Sequence, residues 1–332
     1  MLKQAKAALP ASLLNRLRKL NATICDITFG HLSKDQLHEI LAKHDLNAVG
    51  LSDFYSPLPA VPSLEKTKSR WNRPSDLVGL HYDLDAMKAL LERLVREYGV
   101  DYDALPDEEE VRQGGFGPGF PTVDAMLLFV MLRDLKSSRY IEVGSGISSF
   151  YASLAAQENR RNGHPLKITC IDPYPRDALL DVSSIEIITS EVQAIDVAFF
   201  ECLGPRDVLF IDSSHILKVD GDVPYLYLEV IPRLPRGVVI HVHDVHFPYN
   251  IPYPPEEYIF RWYKTRWPVF WNEAMLLQAF LAYNDAYAIT LSTPLLRFFD
   301  EAFLRATIPN YRCVEQSDYR THFGSIWMEK VR

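Results

Sequence analysis

The sequence is short of several things, and each shortage narrows what the chain can be. No apolar run approaches the ~20 residues needed to cross a membrane. There are four cysteines in 332 residues (Cys25, Cys170, Cys202 and Cys313), widely spaced and with no C-x-x-C pair. That spacing speaks against a disulfide framework or a thiolate metal site, and a reducing, cytoplasmic setting is expected. Positive charge is also in deficit: 35 Lys and Arg against 43 Asp and Glu leave a net charge of -8. A surface of that sign does not coat nucleic acid. Internal repeats and low-complexity segments are missing too.

What is present is ordinary globular composition, 48% hydrophobic and 23% charged. The chain is organised around residues 139–149, Arg-Tyr-Ile-Glu-Val-Gly-Ser-Gly-Ile-Ser-Ser. Tyr140, Ile141 and Val143 form a buried strand, Gly144, Ser145 and Gly146 make the turn, and Ser148 or Ser149 caps the helix that follows. Glycines allow a ligand close to the backbone, and a helix start offers unpaired N–H groups. A dinucleotide cradle would need a third glycine near 149, where this chain has Ser149. Glu142 instead suits a cationic ligand. The next strand ends at Asp172-Pro173, and an acidic side chain there can accept both hydroxyls of a ribose.

From residue 139 onward strand and helix patterns alternate. Strands are predicted at 139–143, 168–172, 185–188, 207–212, 237–242, 286–291 and 323–328, and helices at 148–161, 193–202, 222–233 and 271–283. Alternation of this kind predicts an α/β fold, a doubly wound, seven-stranded, mainly parallel sheet, with ligands beyond the carboxyl ends of the strands. Upstream, helical spacing is read at 11–45, at Asp85–Tyr98 and at Val123–Leu135, with a proline-rich connector at 55–62 and a glycine-rich loop at 114–120. The expected division is a helical N-terminal segment 1–53, an accessory region 54–121, and a main domain 122–332. Residues 1–20 hold five basic and no acidic residues. They read as a solvated basic helix, with weak membrane-surface contact as the alternative.

Chemistry concentrates where the fourth and fifth strands end. The fourth reads Asp207-Val-Leu-Phe-Ile-Asp212 and continues to His215; the fifth ends His241-Val-His243-Asp244, with His246 just beyond. Neighbouring parallel strands would gather Asp212, His215, His243 and Asp244 around one crevice. A histidine there can deprotonate a hydroxyl, and Asp212, His243 and Asp244 can hold a cation such as Mg²⁺ that eases the proton's removal. His215 is therefore the expected base, with Asp212 as its partner. Residues 246–271 are rich in aromatics and proline and are expected to form a lid, with His246, Tyr249 and Trp271 against the substrate.

These motifs carry a resemblance. Glu-Val-Gly-Ser-Gly-Ile-Ser-Ser (142–149), Cys-Ile-Asp-Pro-Tyr-Pro (170–175), Phe-Ile-Asp-Ser-Ser-His (210–215), His-Val-His-Asp (241–244) and Phe-Trp-Asn-Glu (270–273) look like a bacterial family of class I S-adenosylmethionine (SAM)-dependent methyltransferases. With Tyr55-Ser-Pro-Leu-Pro and Trp71-Asn-Arg-Pro-Ser, the likeness covers roughly 54–332. It implies a Rossmann-like domain that binds SAM through Glu142, Gly144, Ser145, Gly146, Asp172 and Asp212. It also implies methylation of a hydroxyl on a sugar, glycoconjugate or natural product. More distantly, Asp-x-x-His is similar to metal-dependent macrolide-sugar O-methyltransferases, where the aspartate binds Mg²⁺ and the histidine is the base. Two other readings stay open. One is a metal-dependent hydrolase, since His241-x-His243-Asp244-x-His246 resembles the H-x-H-x-D-H run of metallo-β-lactamases with its aspartate one position early. The other is a catalytically inactive methyltransferase fold that binds a partner.

Overall fold

Strands β1 (Arg139–Val143), β2 (Lys167–Ile171), β3 (Ile185–Ile188), β4 (Val208–Ile211), β5 (Val239–Val242), β6 (Tyr287–Ser292) and β7 (Ile326–Lys330) form one sheet, in the order β3-β2-β1-β4-β5-β7-β6. The first five strands pair in parallel; β7 runs antiparallel to both β5 and β6. The computed structural model describes residues 32–44, 54–265, 269–309, 311 and 322–332. Two compact units divide the chain, Met1–Leu64 and Glu65–Arg332. In the first, a helix spans Lys34–Ala42, and Ser33 and Gln36 cap it reciprocally. The basic stretch 1–20, and Leu13, Leu14, Leu17 and Leu20 with it, lie outside the described residues.

The second unit shows why these sequences fold as they do. In β1, β4 and β5 nearly every residue is apolar and buried, the pattern of central parallel strands covered on both faces. Helix α1 (Leu84–Asp103) starts on an Asp83 cap and turns Met87, Leu91 and Leu94 inward. Helix α2 (Thr122–Leu135) is apolar all round and therefore buried all round. Its one buried acid, Asp124, is used below. Both helices share one continuous core with the sheet, from Leu77 to Met328.

The order in which strands are added reverses between the parallel neighbours β1 and β4. Ligands in open α/β sheets bind at that switch point, so Gly144 and Asp212, the residues just past these two strands, face the site. Gly144 has φ +94°, and a Cβ there would lie 2.5 Å from the Asp212 carbonyl oxygen. Only glycine lets the two strand tips close this tightly.

Four local expectations change. Helix α3 (Ile147–Arg161) begins at Gly146, not at Ser148 or Ser149; the Ser149 side chain accepts from the Gly146 N–H at 3.1 Å. The helix expected at 193–202 is two short 3₁₀ turns, Val192–Ala194 and Val197–Cys202. The run 222–233 is helical but widens to π geometry over Leu226–Val230, ahead of Pro232, which has no N–H to give. After helix α4 (Glu273–Leu281) and β6 comes helix α5 (Thr293–Thr307), kinked at Asp300, which the sequence reading did not place. No described helix is long and apolar enough to cross a membrane.

Candidate active site

Two cavities lie near the carboxyl ends of the central strands. The first, of about 510 Å³, is bounded by Gly144, Ser145, Asp172, Tyr174, Gln193 and Asp212, among others. Asp172 is already oriented there: Ser145 Oγ donates to its Oδ2 at 2.5 Å and the Tyr174 N–H to its Oδ1 at 2.7 Å. Each carboxylate oxygen can still accept another hydrogen bond, since a carboxylate takes about four donors. Gly146 lies behind this wall and does not line the cavity.

Glu142 does not line it either. The side chain is fully buried beneath the corner, and Ser148 Oγ donates to its Oε1. Burial pushes its carboxyl up to about 8, against the lowering pull of hydrogen bonds from Ser148 and Ser149. It therefore ties the glycine turn to helix α3 from inside and does not meet a ligand's charge in this arrangement.

The second cavity, of about 650 Å³, has aromatic walls from Tyr258, Trp262 and Trp271, with Pro118 and Gly119 of the glycine-rich loop and Asp244 at its floor. Between the cavities stands His215. Its Nε2 is 3.4 Å from Asp212 Oδ1 and 3.5 Å from Asp244 Oδ2, while Nδ1 is 2.7 Å from Glu273 Oε2. The His215 carbonyl accepts from the N–H groups of Asn272 and Glu273 at 3.0 and 3.2 Å, locking the first turn of α4 to the histidine. Ser213 Oγ adds a donor to Glu273 Oε2 at 2.9 Å, and the Trp271 ring packs 4.6 Å from the imidazole. His215 and Asp244 both hold left-handed backbone, φ +59° and +56°. Non-glycine residues adopt that conformation at a cost, and such strain gathers at functional sites.

The electrostatics follow from this packing. Burial alone would lower the His215 pKa, but its hydrogen bonds to the Asp212 and Glu273 carboxylates and the charges of Glu273 and Asp244 raise it to about 10. Burial would raise Asp212, yet His243 and His215 hold its carboxyl well below the usual range. Asp244, buried with only indirect relief from the histidines, is pushed up.

His243 has a different task from the one expected of it. Its Nε2 is 3.2 Å from Asp124 Oδ2 and its Nδ1 is 3.3 Å from Asp212 Oδ1. Burial opposes its charge, but Asp244, Asp212 and Asp124 together hold it protonated well above the ordinary range. An imidazolium with both nitrogens donating has no lone pair for a metal. Among the described residues the cluster able to surround a cation is Asp212, His215 and Asp244, their ligand atoms all within 4.8 Å of one another. His243 is thus outside the candidate ligand set, whose hard oxygen donors are Asp212 and Asp244.

The other expected residues scatter. His241 stacks on Trp327 at 3.9 Å, bonds Ser325 Oγ at 2.8 Å, and is kept neutral by burial: a core residue. His246 and Tyr249 border a third cavity, so only Trp271 of the expected substrate trio lies beside His215. The stretch 246–271 is anchored where it is described: Phe247, Tyr258, Ile259 and Val269 are all buried.

Two residues here escaped the sequence reading. Glu273 sits in the quoted Phe-Trp-Asn-Glu motif, and a buried acid at a helix start was the available signal. Asp124, an acid in the first turn of an otherwise apolar helix, was the other. Removing the charge in Glu273→Gln should loosen the imidazole's orientation and lower kcat by about 10–100-fold, with SAM affinity unchanged. Parallel turnover and calorimetric measurements check this, and an unchanged kcat would remove Glu273 from the machinery.

Comparison with known proteins agrees with this geometry. Residues 141–245 match the family model described as "Methyltransferase domain". An uncharacterised protein of Archaeoglobus fulgidus is 27% identical over 165 residues, 45% of this chain and 71% of its own length. Among solved structures, the O-methyltransferase TomG from Streptomyces achromogenes is 13% identical, covering 76% of this chain and 92% of its own, with a TM-score of 0.37. The methyltransferase PaMTH1 from Podospora anserina, solved with SAH, is 15% identical and covers 86% of this chain and 100% of its own, at a TM-score of 0.35. An O-methyltransferase from Bacillus cereus is 12% identical, covering 73% and 100%, at 0.38. Strand order and the matched segment, rather than these loose superpositions, carry the assignment. That segment runs from β1 to the residue after Asp244 and so encloses Asp172, Asp212, His215 and Asp244 alike; over residues 141–245 the chain carries a methyltransferase domain.

Proposed function

We propose that the chain transfers the SAM methyl group to a hydroxyl of a small-molecule or glycan acceptor, a sugar, glycoconjugate or natural product, with His215 as general base. One observation carries this reading. His215 Nε2 lies between Asp212, which lines the cavity holding Asp172, and Asp244, which lines the aromatic cavity. A base in that position reaches an acceptor oxygen at the boundary where a methyl group would cross. The sulfonium supplies an activated methyl, so the protein's remaining tasks are alignment and proton removal.

Each residue then has a defined part. Asp172 and Ser145 hold the ribose, and Gly144 lets the ligand approach the β1 tip. Glu273 keeps one proton on Nδ1 and aims Nε2 at the acceptor. Asp124 and His243 fix Asp212 from behind. Trp271, Tyr258 and Trp262 wall the acceptor cavity and exclude water. The donors Asp212 and Asp244 are hard oxygens that suit Mg²⁺. A divalent cation on them would lower the pKa of the acceptor hydroxyl and take up the negative charge that otherwise keeps His215 protonated. Residues 122–332 serve as the catalytic domain and 54–121 as its accessory region, in a cytoplasmic setting.

The hydrolase alternative has less to stand on, because His241 and His246 are not in the cation cluster. The test is mass spectrometry of products formed from isotopically labelled SAM and a panel of hydroxylated acceptors. Label on an acceptor oxygen supports the reading; label only on nitrogen or carbon, or none across the panel, contradicts it.

A further inference from the structure

The third cavity, of about 310 Å³, lies between the loop after β5 and helix α5, bounded by His246, Tyr249, Tyr253, Arg297, Phe298 and Glu301, among others. Its polar groups are poorly matched. Arg297 Nη2 donates to the Phe323 carbonyl at 3.3 Å and the guanidinium lies 3.3 Å from the Phe323 ring centroid, but its Nε has no partner among the described residues. No carboxylate among the described residues pairs with it. The nearby acid, Glu301, is turned to the Tyr311 hydroxyl at 3.0 Å and to Arg305 at 3.7 Å. His246 is 4% exposed, and neither of its ring nitrogens has a hydrogen-bond partner among the described residues.

Leaving a guanidinium N–H and an imidazole desolvated without acceptors is costly. A ligand bringing two oxygens in one plane removes the cost, because the guanidinium fork matches carboxylate and phosphate geometry. The opposite wall is flat and apolar. Tyr249 and Tyr253 stack at 3.9 Å with 17° between their planes, and Phe298 edges the rim. Such a surface accepts an aromatic ring or the C–H face of a sugar.

This cavity neighbours the proposed acceptor site at His246, which borders it. Gly324 packs against both: a Cβ on it would lie 3.2 Å from Asp244 Cα and 3.3 Å from His246 Nε2. The His246 ring is also 5.9 Å from the ring of Tyr258, a wall of the aromatic cavity. We infer that the cavity receives an anionic end of the methyl acceptor, a carboxylate or phosphate monoester, with Arg297 and His246 as its donors and Tyr249 against its body. This inference rests on the methyltransferase reading above and narrows the acceptor class to anionic hydroxylated molecules.

Ligand-observed NMR titration tests it without catalysis, using benzoate, phenyl phosphate and the uncharged isostere benzamide on the full chain. Either anion should bind saturably, benzamide at least about tenfold more weakly, and Arg297→Met should weaken the anion by about 10–100-fold. Which anion binds better separates a carboxylate from a phosphate acceptor. Benzamide binding as tightly as benzoate, no anion binding at all, or anion affinity unchanged in Arg297→Met would each overturn the inference. Should Arg297→Met fail to fold, the comparison of benzoate with benzamide on the natural chain decides alone. SAM titration of the same preparation separates the two claims: SAM binding intact with no anion binding overturns this inference only.

Discussion

His215→Ala should lower methyl transfer by about 10²–10⁴-fold, the usual worth of a positioned general base, while SAM affinity stays close to that of the natural chain. The geometry explains the split. His215 touches Asp212, Asp244, Glu273 and Trp271, but it does not line the cavity that holds Asp172. Its loss leaves the acceptor's proton without a destination. The measurement is kcat against calorimetric SAM affinity on one preparation. Full turnover in the variant would end the general-base account.

The second large effect concerns the carboxylates around Nε2. Chelation by EDTA should sharply lower turnover at neutral pH and added Mg²⁺ should restore it, and Asp244→Ala should resist that rescue with a loss of about 10²-fold or more. The sign of the pH dependence gives an independent reading. The His215 pKa of about 10 stands above the ordinary 6.5, so without a cation the imidazole keeps its proton through the neutral range. Residual turnover in EDTA should therefore rise as pH climbs toward 10, and Mg²⁺ should shift that rise to lower pH. EDTA-insensitive turnover with a dead His215→Ala variant would assign a metal-free base.

The parts legible in the sequence were those encoded locally. A run such as Tyr140-Ile-Glu-Val143 followed by Gly-Ser-Gly declares a buried strand and a close turn within a few residues. Asp172, Asp212 and Asp244 were found because each interrupts an apolar strand at its carboxyl end. What sequence could not show was which way a polar residue on a strand faces and what it meets. Glu142 was read as facing a ligand; its partner is Ser148 on the next helix, buried inside. His243 looked like a ligand until Asp124, 119 residues away, closed its second nitrogen. Glu273 reaches His215 across 58 residues, and only the closed fold juxtaposes such pairs. Helix α5 was missed for another reason. Its Ser292-Thr-Pro294 start is a good capping signal, but it follows β6 with no intervening loop, so the strand pattern obscured it.

The most direct measurement is calorimetric titration of SAM into the natural chain and into Asp172→Ala. The account predicts saturable, one-to-one binding to the natural chain. It further predicts a loss of about 10- to 10⁴-fold in the variant, one to two charge-assisted hydrogen bonds of roughly 1.5–3 kcal/mol each. No binding to the natural chain, or equal affinity in a folded Asp172→Ala, would contradict it.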